Sequence, residues 1–446
     1  MISSLLWKLR LLARKLWVRA SIISALAIVA AALSPLSEML PIQMKGAINE
    51  DALRDLLDII TNSMLAVTTF SLSIMVTAHL SADKGVTPRA HRLLQEDGRT
   101  QTVLATFVGA FLYALTLTVI INADLVVEAD YAVIYIVTVG VIGFVVVAIL
   151  RWIAHLDGLG SVEVTSVRVE ERVNETIDAQ NALPFSGGVP LTDPATQIPR
   201  DAAAVHSPGY GYVQSVHVAN LSDRLGEWNA RAFVAVSPGD WVTEGQVLCY
   251  VDIAALDEAR ENDILAAIPI GDFRNWDRDV TFGLIVLTEI GERALSPGIN
   301  DPRTGIDIAT RLTKLIARIE PAREPGEIRS PLVHVPPFDV EDMMHSTLDR
   351  LARDGKAFVE VQLACQRGYA ALSRHRDPVI RETSLTLSRR ALAYAEDGLS
   401  LTEDLRRVIA AAPASRPVDT FGGDSDKSIF DDLSKEGEGL HHRARR

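Results

Sequence analysis

Two cysteines in 446 residues, Cys249 and Cys365, are too few and too scattered for a disulfide framework or a cysteine-based metal site, and they fit a reducing compartment. Basic charge is also short. The formal net charge is −13; residues 1–153 hold 12 Lys and Arg against 11 Asp and Glu, leaving 32 against 46 downstream. The downstream part lacks the basic footprint that a phosphate backbone requires, which excludes nucleic acid as a partner. Lysine is scarce, at eight against 36 arginines, with none between Lys84 and Lys314. Catalytic signatures are missing too: the chain has no HExxH, P-loop, GxSxG or CxxC, and Gly209-Tyr-Gly-Tyr lacks the following helix of a dinucleotide fingerprint. No cofactor or metal is expected.

What the chain has in excess is apolar length. A hydrophobic content of 48% and a mean hydropathy of +0.17 are too high for a wholly soluble protein. Four segments, Ala20–Leu40, Leu56–Leu80, Thr102–Ile121 and Tyr131–Ile153, meet the roughly 20 apolar residues that a hydrocarbon core of about 30 Å demands. The stretches Thr102–Ile121 and Tyr131–Leu150 hold no charge at all. The first segment follows a basic arm (Lys8, Arg10, Arg14, Lys15, Arg19) similar to a signal-peptide start, yet further spans come next, so it reads as a retained anchor.

Loop cations set the expected orientation. The arm, the loop with Lys84, Arg89, Arg92 and Arg99, and Arg151 share one side; the other has Lys45 and Arg54 outweighed by acids, then Asp124, Glu128 and Asp130. Both termini should therefore be cytoplasmic in a bacterial inner membrane, with Trp17 and Trp152 in the interfacial belt.

The second segment is the most polar. Asn62, Thr69, Ser73 and Thr77 fall on one helical face at 100° per residue. Such a stripe lines water or bonds neighbouring helices. His79 sits at the inner end, an interfacial place rather than a proton relay. No Asp, Glu, Lys or Arg occupies the middle of a span, which speaks against an ion-coupled transporter.

Downstream of a helix and linker, period-two alternation at Gly211–Val218, Phe233–Val236 and Gln246–Val251, punctuated by Pro238-Gly239-Asp240 and Glu244-Gly245, predicts short strands joined by tight turns. The pattern looks like the hammerhead or barrel-sandwich fold of biotinyl and lipoyl carriers. The lysine such carriers modify is absent, so the resemblance implies shape without swinging-arm chemistry. Helices follow at Asp279–Ala294, from Asp301-Pro302 to about Ile319, and as about three amphipathic segments in Val340–Ala412 broken near Pro378. Asp301 at the N-cap before Pro302 is a strong start signal.

The fold class expected is an α+β membrane protein. Residues 1–156 would form a four-helix transmembrane domain, 157–200 a helix and linker, and 201–256 the small β module. Residues 257–412 would form a helical cytoplasmic domain, and 413–446 a disordered tail.

The decapeptide Arg293-Ala-Leu-Ser-Pro-Gly-Ile-Asn-Asp-Pro302, with the four spans, Thr69-Phe70-Ser71, Thr87-Pro88-Arg89, Thr100-Gln101-x-x-Leu104 and Phe107-x-Gly109-x-Phe111, resembles a bacterial family of predicted membrane proteins, domain of unknown function 2254. The resemblance covers nearly the whole chain and implies no reaction. Around the decapeptide cluster Asp277, Arg278, Asp279, Glu289, Glu292, Arg293, Ser296, Pro297, Asn300, Asp301, Pro302, Arg303 and Asp307. They could bind a cation or phosphate, or serve as caps, ion pairs and homo-oligomer contacts. Three functions stay open: a homo-oligomeric membrane-anchored scaffold or stress sensor, a pore lined by the Asn62 stripe and gated by the cytoplasmic domain, and, with least support, a hydrolase or transferase at Ser296–Arg303.

Overall fold

In hydrocarbon the backbone must satisfy its own hydrogen bonds, so apolar runs of this length become helices. The computed structural model describes residues 16–35, 50–85, 87–90, 98–123, 125, 131–156, 161–276, 278–320 and 327–413. Lys45, Asp124, Asp277, the arm before Leu16 and residues 414–446 lie outside the described residues, as do the side chains of His79 and Lys84.

The first half contains α1 (Leu16–Ala32), α2 (Glu50–Gly85), α3 (Gly98–Asn122) and α4 (Tyr131–Leu156). Three of them, α2 to α4, are long and apolar enough to cross a membrane. Helix α1 has 17 residues, about 25 Å, and gives way to a turn at Ser34-Pro35, where proline can neither donate an N–H nor continue the spiral. The expected count of four spans is therefore not reached among the described residues. Helix α3 is the hub: Phe107, Tyr113 and Leu117 are fully buried between Leu53 and Leu57 of α2 and Ile134 of α4. Tyr113 and Thr138 hydrogen-bond at 3.0 Å, which satisfies two hydroxyls in a place without water. Gly109 lets α1 close onto α3, because a β-carbon there would sit 2.7 Å from Cβ of Ile23.

Ser161 caps α5 (Val162–Ala182), which leads into the second half. Its strands are β1 (Val189–Pro190), β2 (Ala203–His206), β3 (Gly211–Val213), β4 (Ala232–Val234), β5 (Trp241–Val242), β6 (Val247–Val251), β7 (Ile270–Gly271) and β8 (Val333–Val335). They form a five-stranded sheet of order β1-β8-β4-β6-β2, parallel only where β8 meets β1 and β4, and a three-stranded antiparallel sheet of order β5-β3-β7. Helices α6 (Val218–Trp228) and α7 (Glu258–Ala267) cover them through Leu221, Leu225 and Ile264.

Two expectations change here. The alternation at Gly211–Val218 produces a strand only to Val213; from Val218 the chain is helical, because Val218, Leu221 and Leu225 together bury one helical face. The β region also draws β1, β7 and β8 from outside residues 201–256. The turn glycines are as expected: Gly239 and Gly245 have φ of 93° and 79°, which a side chain would strain.

After Gly271 the helices are α8 (Val280–Leu295), α9 (Pro302–Ile316), α10 (Val340–Met344), α11 (Arg350–Asp354), α12 (Val359–Leu372), α13 (Pro378–Gly398) and α14 (Thr402–Ala411), with a π-helical turn, His345–Asp349, between α10 and α11. The stretch read as about three helices is thus more finely divided, at the π turn, near Gly355, at Asp377-Pro378 and after Gly398. Asp377 caps α13 by accepting the Val379 N–H at 2.7 Å. Leu287, Ile308, Leu312, Leu348, Tyr369 and Leu387 belong to one buried core with α5.

Candidate functional site

The decapeptide is the hinge between α8 and α9. Asp279 caps α8, accepting the Phe282 N–H at 2.8 Å, and takes a two-pronged grip from Arg274 at 2.7 and 2.8 Å. Burial pushes its carboxyl up and the Arg274 guanidinium opposes that. After Leu295 the chain turns sharply: the Ser296 hydroxyl donates to the Arg293 carbonyl at 2.6 Å, Asn300 N–H to the Ser296 carbonyl at 2.9 Å, and Asp301 N–H to the Ala294 carbonyl at 2.8 Å. Asn300 adopts φ 57°, a left-handed conformation asparagine tolerates. Asp301 then accepts the Thr304 N–H at 3.1 Å and the Thr304 hydroxyl at 2.6 Å, with Pro302 in the first helical turn. The Thr304 hydroxyl holds the Asp301 carboxyl below the usual carboxylate range. Pro297, Gly298, Ile299, Asn300 and Arg303 are exposed.

Glu289 and Glu292 meet arginines from distant parts of the chain, and Asp307 meets one from the next turn of its own helix. Glu292 receives Arg350 through both guanidinium prongs, at 2.9 and 2.7 Å, and burial pushes its pKa up against the Arg350 charge. Glu289 receives Arg89 at 2.7 Å, while its other oxygen, Oε2, is buried without a hydrogen-bond partner. Asp307 binds Arg311 at 2.6 Å, and Arg311 also reaches Glu170 of α5, which takes Lys314 at 2.7 Å as well. Burial works to raise the Glu170 carboxyl; the bonds and charges of Lys314 and Arg311 outweigh it, so it lies below its ordinary value.

The structure thus brings Glu289, Glu292, Asp301 and Asp307 close to the α8–α9 hinge but gives each a partner within the protein. Ser296 donates to a carbonyl rather than to a base, so the hinge shows no activated nucleophile. Among the described residues no three His, Cys, Asp or Glu side chains converge to hold a metal ion. Cys249 and Cys365 are fully buried, and burial pushes both thiols up to about 12, away from nucleophilic thiolate.

The stripe on α2 lies elsewhere. Asn62, Thr69, Ser73 and Thr77 are all exposed, and the helix packs on its own chain through Leu53, Leu57, Ile60, Met64 and Ser71, roughly 180° around from the stripe. Thr69 and Thr77 donate to the carbonyls of Leu65 and Ser73, each at 2.9 Å. Their hydroxyls are satisfied within the helix. Asn62 has no hydrogen-bond partner among the described residues and lies within the candidate span Glu50–Thr77, one turn beyond Asp58. Among the described residues, the stripe therefore does not glue α2 to other helices of its own chain.

Beyond α2, Thr87 and Ala90 are buried, and Ala90 belongs to the core formed by α5, α8, α9 and the later helices. Together with the Arg89–Glu289 pair, this fastens the end of a membrane helix to the hinge helix. The sequence carried the Thr87-Pro88-Arg89 string as a family marker without its role as an anchor. Two further features were unread: Asp349, in the π turn, faces His345 at 3.5 Å and Arg390 at 3.4 Å, yet its Oδ1 and the Tyr369 hydroxyl are buried without partners. His345 lies one helical turn from Asp349, but Arg390 is 41 positions away, and no local pattern announces that pairing.

Residues 13–371 match the family described as predicted membrane protein, DUF2254. The chain belongs to this family. Similar proteins include uncharacterised ones from Mycobacterium bovis and Mycobacterium tuberculosis, each 26% identical over 290 residues, which cover 62% of this chain and 54% of the relative. The chain thus spans about half the length of the curated relatives it matches. No solved structure gives a significant match. Membership of a membrane-protein family agrees with the three long apolar helices, and neither the family nor its uncharacterised relatives assign a reaction to the hinge.

Proposed function

We propose that this chain is a homo-oligomeric, multi-pass scaffold or sensor of the bacterial inner membrane, with four spans and both termini cytoplasmic, in which α2 contacts neighbouring copies and relays that contact to the cytoplasmic core. The observation that carries the proposal is the outward stripe on α2. An amide facing hydrocarbon without a partner costs roughly 2–7 kcal/mol, so Asn62 calls for one from outside its own chain. A second copy offers the same amide at the same depth. The Ala90 anchor and the Arg89–Glu289 pair then give any movement of α2 a route into the hinge helix α8. A second reading, a pore, rests on the same stripe: several copies arranged with Asn62, Thr69, Ser73 and Thr77 inward would enclose polar walls. A hydrolase or transferase at Ser296–Arg303 finds no support in a serine bonded to a carbonyl and acids paired with arginines.

The test replaces Cys249 and Cys365, then places single cysteines at Asn62, Thr69, Ser73, Thr77 and, as a lateral control, Leu72, in native membranes. Cross-linked dimers at the stripe but not at Leu72 are expected for a helix contact. Reaction of the stripe cysteines with a membrane-impermeant thiol reagent would favour the pore instead. Stripe cysteines that neither cross-link nor react would sink both.

A further inference from the structure

We infer that the groove between α1, α3 and α4 is a binding site for one anionic phospholipid. Two adjoining cavities, sharing Thr106 and Phe144, run along this side of the bundle, which α2 does not line. One, of about 330 Å³, is walled by apolar side chains such as Ile23 and Leu26 of α1 and Val137, Val141 and Val145 of α4. The other, about 530 Å³, is apolar at Val103, Phe144 and Val147 and ends at Arg151 and His155. Both volumes are of the size that drug-sized ligands fill, about 300–1,000 Å³. From Val137 to His155 the groove extends ~27 Å along α4, longer than the ~15 Å of one leaflet, so an acyl chain fits lengthwise.

Chemistry separates this groove from an ordinary greasy surface. Arg151 makes no ion pair among the described residues and stands at its mouth. The Arg19 guanidinium is brought to the same end by its hydrogen bond to the Thr102 hydroxyl, and Trp152 holds the His155 ring at 5.9 Å between centroids. Among the described residues, no acidic side chain lines either cavity. An apolar channel closed by arginine at the lipid–water boundary complements one molecule in particular: a phospholipid with its chain inside and its phosphate on the cations. A second copy is a poorer occupant, since it would bring an identical set of cations to the same depth. Gly140 and Gly143 on α4 have nothing within 4 Å of where a β-carbon would lie, so the groove can be filled by substitution without touching the cations.

The experiment uses the full chain in a neutral detergent and reads thermal stability against added phosphatidylglycerol, phosphatidylcholine or inorganic phosphate, with native mass spectrometry counting bound lipid. Phosphatidylglycerol should stabilise the protein saturably with one molecule bound, and phosphatidylcholine and phosphate should not. Arg151→Gln should weaken that binding about fivefold, the scale of one cation's attraction to an anionic headgroup. Gly140→Leu, which leaves the charge alone, should abolish it while the lipid-free melting temperature is retained. If Arg151→Gln fails to fold, Gly140→Leu and the wild-type lipid count still decide. Equal effects of phosphatidylcholine would reduce the groove to general lipid contact and overturn the proposal. Equal effects of phosphate would make it a plain anion site, and a Gly140→Leu protein that loses its oligomer but still binds phosphatidylglycerol would show that a second copy covers the groove; either result also overturns it.

Discussion

Asp301 shows how a residue can be conspicuous in sequence for a structural reason. Its carboxylate accepts both the backbone N–H and the hydroxyl of Thr304, and Pro302 behind it has no N–H to satisfy, so its position is that of a cap. Asp301→Ala is expected to lower stability by about 0.5–2 kcal/mol, whereas Asp301→Asn or Asp301→Ser, which still accept the N–H, should change it little. Thermal melts of the purified variants check this. A folded Asp301→Asn protein unable to complement a deletion strain would move the hinge from scaffold to ligand site. The same logic covers Glu292, Asp307 and Glu170, whose charges are met by arginine or lysine from another turn or another helix. Only the cap was legible beforehand, because a cap is a relation between neighbours; Arg350 lies 58 residues from Glu292, and nothing in either segment names the other.

At the level of elements, α3 decides how the membrane half packs. Its Phe107-x-Gly109-x-Phe111 string combines a buried ring with a bare backbone site on which Ile23 of α1 rests. Gly109→Val would place carbon where Ile23 Cβ already lies 2.7 Å from the would-be Cβ, forcing α1 away at a cost of about 1–3 kcal/mol. The expected readout is a lower melting temperature in detergent and loss of cross-linking between cysteines placed on α1 and α3; retention of both would refute the close crossing. The spans α2 to α4 were legible from hydropathy alone. The face each presents to its neighbours was less so: α2 turned its aliphatic seam inward and its polar stripe out, although either orientation fits the same sequence periodicity.

For the molecule as a whole, the question is how the membrane helices and the buried core of the second half are joined. Besides the chain connection from α4 into α5, the segment Thr87–Ala90 supplies a second tie, buried at Thr87 and Ala90 and paired through Arg89. Ala90→Asp would put a carboxylate without a partner into an aliphatic core and should release this tie. The release would appear as protease cleavage around residues 87–90 that the wild-type protein resists. Unchanged resistance would mean that α2 and the hinge are not mechanically joined there.

The sequence by itself determined the elements whose signals are local: three apolar helices long enough to span, the turns at Gly239 and Gly245, the Asp301 cap, and membership of the family. Periodicity, φ preference and capping act within a few residues, so one chain segment contains the whole argument. Only the tertiary structure decided which side of α2 is buried, that the strand from Gly211 stops at Val213 and a helix begins at Val218, that β1 and β8 join the sheet of β4, β6 and β2, and that Glu289 and Glu292 are met by Arg89 and Arg350 from distant segments. Each of these depends on what stands opposite in space. A period of two or of 3.6 states that a face will be covered, and the energy of covering it belongs to a partner that the segment does not contain.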